Sequence, residues 1–187
     1  GADEAAERGF VERGPDFEGG HFLSGFPTDD GRFRFKPDWA ALGPFHAGMP
    51  DVPDYWDSVE SADAEHPMRL VTPPARMFLN TSFTQSPSSR AHEREPTVLI
   101  HPSDAQRLGI EEGVLVRLGN ARGEVCLRAR FGTDLHPGTL ISEGVWPDGD
   151  FEHGRGINEL VGADPVAPRG GVAFHDSAVW IRPQPVA

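Results

Sequence analysis

Short apolar runs recur at regular spacing from residue 68 onward, and this pattern predicts a series of β-strands. Met68–Val71 is one such run, ended by the Pro73-Pro74 pair. Thr97–His101 is continuously apolar, which is typical of a strand buried on both faces. Further strands are predicted at residues 114–118, 139–142, 172–174 and 178–181. Many short strands with few helices predict a closed, mainly β barrel.

The run after residue 123 alternates between apolar and polar side chains, as expected for a strand with one buried face. Its apolar positions are Val125, Leu127, Ala129 and Phe131. Arg128 and Arg130 occupy the opposite face. The glycine-rich segment Gly119–Gly123 joins this run to residues 114–118, which predicts a β-hairpin.

Two short helices are predicted among the strands. For the first, Ser103 is the predicted N-cap and Gln106, three residues later, completes a capping box. Gly109 is predicted to end this helix in the left-handed conformation, with Ile110 as the apolar contact beyond it. The second helix is predicted near Asn158, after a glycine-rich loop.

The first 65 residues differ from the rest, because they are rich in Asp, Glu, Gly and Pro and show no sustained period. Turn residues at 29–31 predict a tight turn, followed by a strand with Phe33 and Phe35 on one face. We therefore divide the chain into an irregular acidic extension, residues 1–65, and a barrel domain, residues 66–187. Two interpretations of the extension stay open: it packs on a neighbouring surface, or it is a disordered linker.

Composition narrows the classes of function. Lys and Arg number 17 against 29 Asp and Glu, a net charge of −12, which disfavours binding to a nucleic-acid backbone. The single cysteine, Cys126, excludes an internal disulfide or a cysteine-rich metal site within the chain. No apolar run is long enough for a membrane segment. Because the first residues lack a secretion pattern, a cytoplasmic location is expected, with the periplasm as the alternative.

Four stretches, in order, carry a resemblance to a known family: residues 26–35 (FPTDDGRFRF), 70–82 (LVTPPARMFLNTS), 97–123 (TVLIHPSDAQRLGIEEGVLVRLGNARG) and 156–160 (GINEL). They resemble the C-terminal molybdopterin-dinucleotide-binding domain of the dimethyl sulfoxide reductase and formate dehydrogenase class of oxidoreductases. The resemblance covers roughly residues 68–183 and is weak over the first residues. It implies a double-psi β-barrel of the aspartate-decarboxylase-like type, with short helices and an irregular N-terminal extension.

The same resemblance implies a shared role in catalysis. Such a domain grips the pterin parts of a bis-molybdopterin guanine dinucleotide cofactor that carries Mo or W, for two-electron redox or oxygen-atom transfer. The remaining domains of the same polypeptide would supply the metal ligand, the site for a small-molecule substrate and any iron–sulfur cluster. We therefore expect no catalytic residue and no metal ligand in this chain, and no activity of the chain alone.

A pterin ring has an amide-like edge, which neutral side chains that both donate and accept hydrogen bonds suit. The predicted cofactor-binding residues are Arg76, Asn80, Thr81, Ser82, Trp146, Gly156, Asn158 and His175. The resemblance implies that Asn158 contacts the pterin, whereas the residues alone favour a helix N-cap. Arg76 could reach a phosphate or a pterin carbonyl. Trp146 is interpreted either as a ring stacked near the cofactor or as a core residue.

Two other enzyme classes are disfavoured by the sequence. The self-processing decarboxylases on the same barrel cleave a Gly-Ser bond, and this sequence contains no Gly-Ser dipeptide. No Gly-x-Ser-x-Gly elbow is present for nucleophilic catalysis either. The alternative that stays open is a non-catalytic barrel adaptor that recognises substrates for an ATPase. It predicts a Walker motif elsewhere in its polypeptide and basic or apolar groove residues in this chain.

Overall fold

A computed structural model describes residues 2–11 and 14–185 of the chain. The chain forms two compact units, Gly1–Asp38 with Pro50–Asp54, and Trp39–Met49 with Tyr55–Ala187. The second unit contains the barrel together with residues 55–65, and the boundary proposed at residue 65 stays a prediction. Within the described residues, no helix has the length and apolar character needed to cross a bilayer.

The second unit is built on eight strands: β1 (Met68–Val71), β2 (Thr97–Ile100), β3 (Leu115–Gly119), β4 (Glu124–Phe131), β5 (Thr139–Ile141), β6 (Pro165–Val166), β7 (Gly171–Val172) and β8 (Ser177–Pro183). Six of them close a barrel in the order β1-β5-β2-β4-β3-β8, while β6 and β7 form a separate two-stranded sheet. Within the barrel, β1/β5 and β2/β4 are parallel pairs, and the other neighbours pair antiparallel. The prediction of a mainly β double-psi barrel is confirmed.

The barrel closes because alternate residues of each strand turn an apolar side chain inward. In β2, Val98 and Ile100 are fully buried while Thr97 and Leu99 are only half-buried. The prediction that this strand is buried on both faces was therefore wrong, since its outer face is only partly covered. The predicted β3/β4 hairpin is confirmed, except that Phe131 is 40% exposed because it lies at the end of the strand.

The helices are short: α1 (Ala2–Arg8), α2 (Phe17–Gly20), α3 (Trp39–Leu42), α4 (Pro87–Glu93) and α5 (Pro102–Leu108), with 3-10 turns at His46–Gly48, Asp148–Asp150 and Ile157–Leu160. The capping box predicted for α5 is wrong, because Ser103 is not the N-cap of the helix. The N-cap is His101, whose Nδ1 accepts a hydrogen bond from the Ser103 amide at 3.2 Å. Pro102 occupies the first helical position, where its missing N–H costs nothing.

The C-terminal end of α5 follows the prediction. Gly109 adopts the left-handed conformation with φ of 65°, and the Ile110 amide donates to the Ala105 carbonyl at 2.9 Å. This bond satisfies one of the last helical carbonyls. Ile110 is buried in the barrel core, so the end of the helix is also a packing contact.

Replacing Gly109 with Ala is expected to lower the free energy of unfolding by about 1 kcal/mol, from backbone strain alone. A Cβ at this position would meet no other atom within 4 Å, so no steric overlap is added. Gly149→Ala is the matched control, because that position is equally open and has no positive φ. Urea unfolding of both variants separates strain from crowding, and equal midpoints would contradict the expectation.

The first unit has irregular structure around its predicted turn. The predicted strand containing Phe33 and Phe35 is absent, since residues 32–36 form no strand. Side chains of the turn instead form hydrogen bonds with the backbone of Arg32. The Arg32 amide donates to the Asp30 carboxylate, and the Arg32 carbonyl accepts from the Thr28 hydroxyl. The two Phe rings instead contact each other edge to face, with centroids 4.9 Å apart.

Candidate functional site

A cleft of about 500 Å³ lies beside the barrel, at the ends of several strands. It is formed by the loop that follows β1, the segment around the 3-10 turn Ile157–Leu160, and the loop that precedes β8. The polar side chains that line it are those of Thr72, Asn80, Asn158 and His175. Its volume falls in the range of small-molecule and cofactor sites.

Three of the eight predicted residues meet in this cleft: Asn80, Asn158 and His175. Asn80 has a positive φ of 53°, a conformation that Asn tolerates better than most side chains. Two backbone hydrogen bonds between Leu79 and Ser82, of 3.1 and 2.9 Å, close the turn that presents it. The His175 ring lies against the Phe174 ring, with centroids 4.3 Å apart.

The position of Asn158 decides between the two roles considered for it. Gly156 is the N-cap of the 3-10 turn, and Asn158 is the second residue inside the turn. Its carbonyl accepts from the Val161 amide at 3.2 Å, whereas its side-chain amide makes no hydrogen bond with any residue that the structure describes. The N-cap role is therefore excluded, and the exposed amide is left for another partner.

Three predicted residues lie on the loop after β1 but outside the lining of the cleft. Arg76, Thr81 and Ser82 are exposed. The Thr81 carbonyl accepts from the Thr84 hydroxyl at 3.1 Å, and the Ser82 backbone closes the turn beside Asn80. The last two therefore shape the loop through their backbone, and a direct ligand contact by any of the three stays a prediction.

The remaining two predicted residues are buried. Trp146 is 5% exposed, packs edge to face on Phe78 with centroids 4.8 Å apart, and donates from Nε1 to the Glu143 carbonyl at 3.1 Å. Gly156 is buried against Asp148, whose Oδ1 a Cβ at this position would overlap. Both residues thus support the walls of the loops, and neither lines the cleft.

The apolar lining was missed by sequence reasoning. It comprises Pro73, Pro74, Val145, Ile157, Val161, Ala163 and Phe174, with Gly162 among them. One signal was available: the Pro73-Pro74 pair ends β1 and gives a rigid apolar surface directly beside it. The others come from loops far apart in sequence, so no local pattern could have joined them.

The lining of the cleft contains no Asp, Glu, Lys or Arg side chain. Apolar walls with a few amide and hydroxyl groups suit a flat ring that exchanges hydrogen bonds at its edge. Within the described part of the chain, no group of three or more His, Cys, Asp or Glu side chains is arranged for a metal ion. The site can therefore bind and orient a ring.

Cys126 lies away from this cleft, in β4, and is buried. Burial raises the pKa of its thiol, and the nearby Glu124 carboxylate raises that pKa further. A thiol with a raised pKa is protonated at neutral pH and is a poor nucleophile. The interpretation of Cys126 as a packed thiol agrees with this environment.

Comparisons with known proteins bear on the same region. A family model described as "Molydopterin dinucleotide binding domain" matches residues 68–178, which include β1 to β7 and the start of β8. The cleft residues Asn80, Asn158 and His175 all lie inside this match.

Two curated relatives are longer proteins. The chain is 36% identical over 129 residues to "Probable oxidoreductase YoaE" of Bacillus subtilis, which covers 67% of this chain and 18% of the relative. It is 30% identical over 169 residues to a "Putative dimethyl sulfoxide reductase catalytic subunit" of Halobacterium salinarum, which covers 83% of this chain and 20% of the relative. The chain thus spans about one fifth of the length of these relatives.

A solved structure shares the fold. Acetylene hydratase from Pelobacter acetylenicus superposes with a TM-score of 0.67 at 16% identity, over 94% of this chain and 26% of that one. At this level of identity the likeness concerns the fold alone. It extends beyond the barrel into the N-terminal part of the chain.

Proposed function

The chain belongs to the family of molybdopterin dinucleotide binding domains, and on this premise we propose that it binds the pterin part of a molybdopterin guanine dinucleotide cofactor in the cleft between Asn80 and Asn158. The observation that carries the proposal is the exposed Asn158 amide, which has no partner among the described residues and faces a neutral cleft. The cofactor, when bound, supplies a Mo or W centre for two-electron or oxygen-atom transfer.

The residues of the cleft fit such a group. The side-chain amides of Asn80 and Asn158 can each donate and accept, as the edge of a pterin requires. Apolar side chains such as Val161 and Phe174 can cover the faces of the ring. Backbone segments rich in Gly and Pro allow a close approach. This chain would bind and orient the ring and exclude water from it, while metal ligation and substrate choice belong to other domains of the same polypeptide.

The larger protein that this proposal implies is a molybdopterin oxidoreductase, whose substrate and remaining domains are set outside this chain. The family match and the relatives named as oxidoreductases favour this function over the barrel adaptor. A complete reading frame that encodes a Walker motif and a purified product that lacks Mo, W and pterin would support the adaptor instead.

Replacing Asn158 with Ala in the complete polypeptide is expected to speed pterin release about tenfold, the effect of losing one hydrogen bond of about 1.4 kcal/mol. Release is followed by the fluorescence of the oxidised pterin after gel filtration. Glu152→Ala is the matched control, because Glu152 is an exposed carboxylate in the loop before the same turn and does not line the cleft. Equal retention by the two variants would refute the role of Asn158.

A further inference from the structure

Glu60 lies outside the lining of the cleft, on the segment that leads into the barrel. Its side chain is 34% exposed. Its Oε2 accepts a hydrogen bond from the Ala178 amide at 2.8 Å, and its Oε1 pairs with the Arg122 guanidinium. One carboxylate therefore joins a segment before β1 to the start of β8 and to the β3/β4 hairpin loop. None of these three residues was singled out from the sequence.

Arg122 continues the contact toward the cleft. Its Nη1 donates to the Leu160 carbonyl at 3.1 Å, and Asn120 Nδ2 donates to the same carbonyl at 2.8 Å. Leu160 is the last residue of the 3-10 turn that contains Asn158. Two side chains from one hairpin loop thus hold the end of the turn on which Asn158 lies.

Close packing reinforces these hydrogen bonds. A Cβ at Gly162 would lie 3.1 Å from Arg122 Nη2, and a Cβ at Gly123 would lie 3.2 Å from Glu159 Oε2. Glycine at both positions lets the hairpin loop approach the segment that lines the cleft. The Arg122 guanidinium therefore lies directly against Gly162, which lines the cleft.

The second contact of Glu60 reaches the other wall of the cleft. Ala178 follows His175 by three residues, and its amide is held by Glu60 at the start of β8. The His175 loop, through Ala178, and the Asn158 turn, through Arg122, are thus both linked to the Glu60 side chain. The two walls lie on different loops, and the shared attachment to Glu60 connects them.

We propose that Glu60, acting through Arg122 and the Ala178 amide, is a positioning residue that holds the two walls of the pterin cleft at their binding distance. The inference rests on the proposed function, and it adds a residue that lies outside the matched family region 68–178. The segment that leads into the barrel thereby contributes to the binding site without touching the ligand.

The charge of Glu60 suits this role. Burial raises the pKa of its carboxyl, but the hydrogen bonds from Arg122 and the Ala178 amide outweigh burial, and the pKa is lowered overall. The carboxylate is therefore ionised at neutral pH and accepts both bonds. Charge-assisted bonds of this kind are stronger than neutral ones.

The test begins with hydrogen exchange in the 187-residue chain. Arg122→Ala is expected to speed amide exchange of Glu159 and Val161 about tenfold, the effect of losing about 1.4 kcal/mol of local stability. Glu60→Gln should give a smaller change in the same amides, because the neutral amide oxygen can still accept from Arg122, although without the charge. Amides of β2 and β4 should be unaffected. Glu65→Gln is the matched control, since that exposed carboxylate is five residues further along the same segment.

The second measurement is pterin release from the complete polypeptide, which should be about tenfold faster in Arg122→Ala and about threefold faster in Arg122→Lys. Lysine keeps the charge but lacks the planar fork with which Arg122 contacts Glu60 and the Leu160 carbonyl through separate nitrogens. Faster exchange with unchanged release would overturn the positioning role, as would unchanged exchange. If the purified wild-type polypeptide contains no pterin, the proposed function itself is refuted. This result is obtained before any variant is compared, so it is distinct from a failure of the positioning role.

Discussion

Arg90→Ala is expected to lower the free energy of unfolding by about 3 kcal/mol, because it breaks a bidentate, partly desolvated ion pair. The guanidinium donates to both carboxylate oxygens of Asp150, at 2.7 and 2.8 Å. Its Nε donates to the Thr84 carbonyl at 2.5 Å, and its Cζ lies 5.4 Å from the centre of the Trp146 ring. The side chains of the pair are only 30% and 23% exposed.

The size of this effect follows from what Arg90 joins. It connects α4 to the turn after Asn80 and to the loop that begins at Trp146, so its loss frees two loops at once. Urea unfolding measures the change. Arg90→Lys should recover part of it, because lysine keeps the charge but lacks the planar fork. Arg155→Ala removes an exposed arginine five residues after Asp150 and should change stability little. A loss below about 1 kcal/mol for Arg90→Ala would contradict the argument.

Asp104→Ala is expected to cost a similar amount, about 3 kcal/mol, because it leaves a part-buried amide without an acceptor. Asp104 is 5% exposed in α5. Its Oδ2 accepts from the Gly138 amide and its Oδ1 from Arg107 Nη2, both at 2.7 Å. Gly138 in turn accepts from the Arg69 amide through its carbonyl, next to the β1/β5 pair. The carboxylate thus attaches the helix to the barrel.

Asp104→Asn is the matched control, since an amide oxygen can still accept from Gly138 while the charge is lost. Burial raises the pKa of Asp104, but the hydrogen bonds from Arg107 and Gly138 outweigh it, and the folded-state pKa lies below the usual 3.8. The ionised carboxylate therefore stabilises the fold above about pH 4, and this contribution is lost as the pH falls through the folded-state pKa. The gap in unfolding free energy between wild type and Asp104→Asn should narrow from about pH 7 to about pH 3. A constant gap would contradict this linkage.

The barrel could be predicted because its signals are local. The alternation in β4, the glycine-rich hairpin loop and the left-handed Gly109 each depend on residues that are close together in sequence. The capping box was wrong because α5 begins at Pro102, with His101 as its N-cap, so Ser103 already lies inside the helix. The strand at Phe33 and Phe35 was wrong because side chains of the preceding turn bind the backbone of Arg32.

The family resemblance is confirmed by the match over residues 68–178. Within it, the sequence singled out Asn80, Asn158 and His175, and the structure brings them into one cleft. Trp146 and Gly156 were also predicted to bind the cofactor, and both are buried in the loop walls. A tryptophan or glycine in a loop has the same local pattern whether it faces a ligand or the core, so only packing separates the two.

The sequence by itself determined the mainly β fold class, through periodicity and turn residues, and the family, through four ordered stretches that resemble it, because these signals are properties of short segments. The tertiary structure alone decided which loops share the cleft and what holds them. Glu60 reaches an amide 118 residues away in sequence, and such a contact exists only once the barrel has closed. The energy of this hydrogen bond depends on the burial and geometry of the folded protein, which a local sequence pattern does not contain.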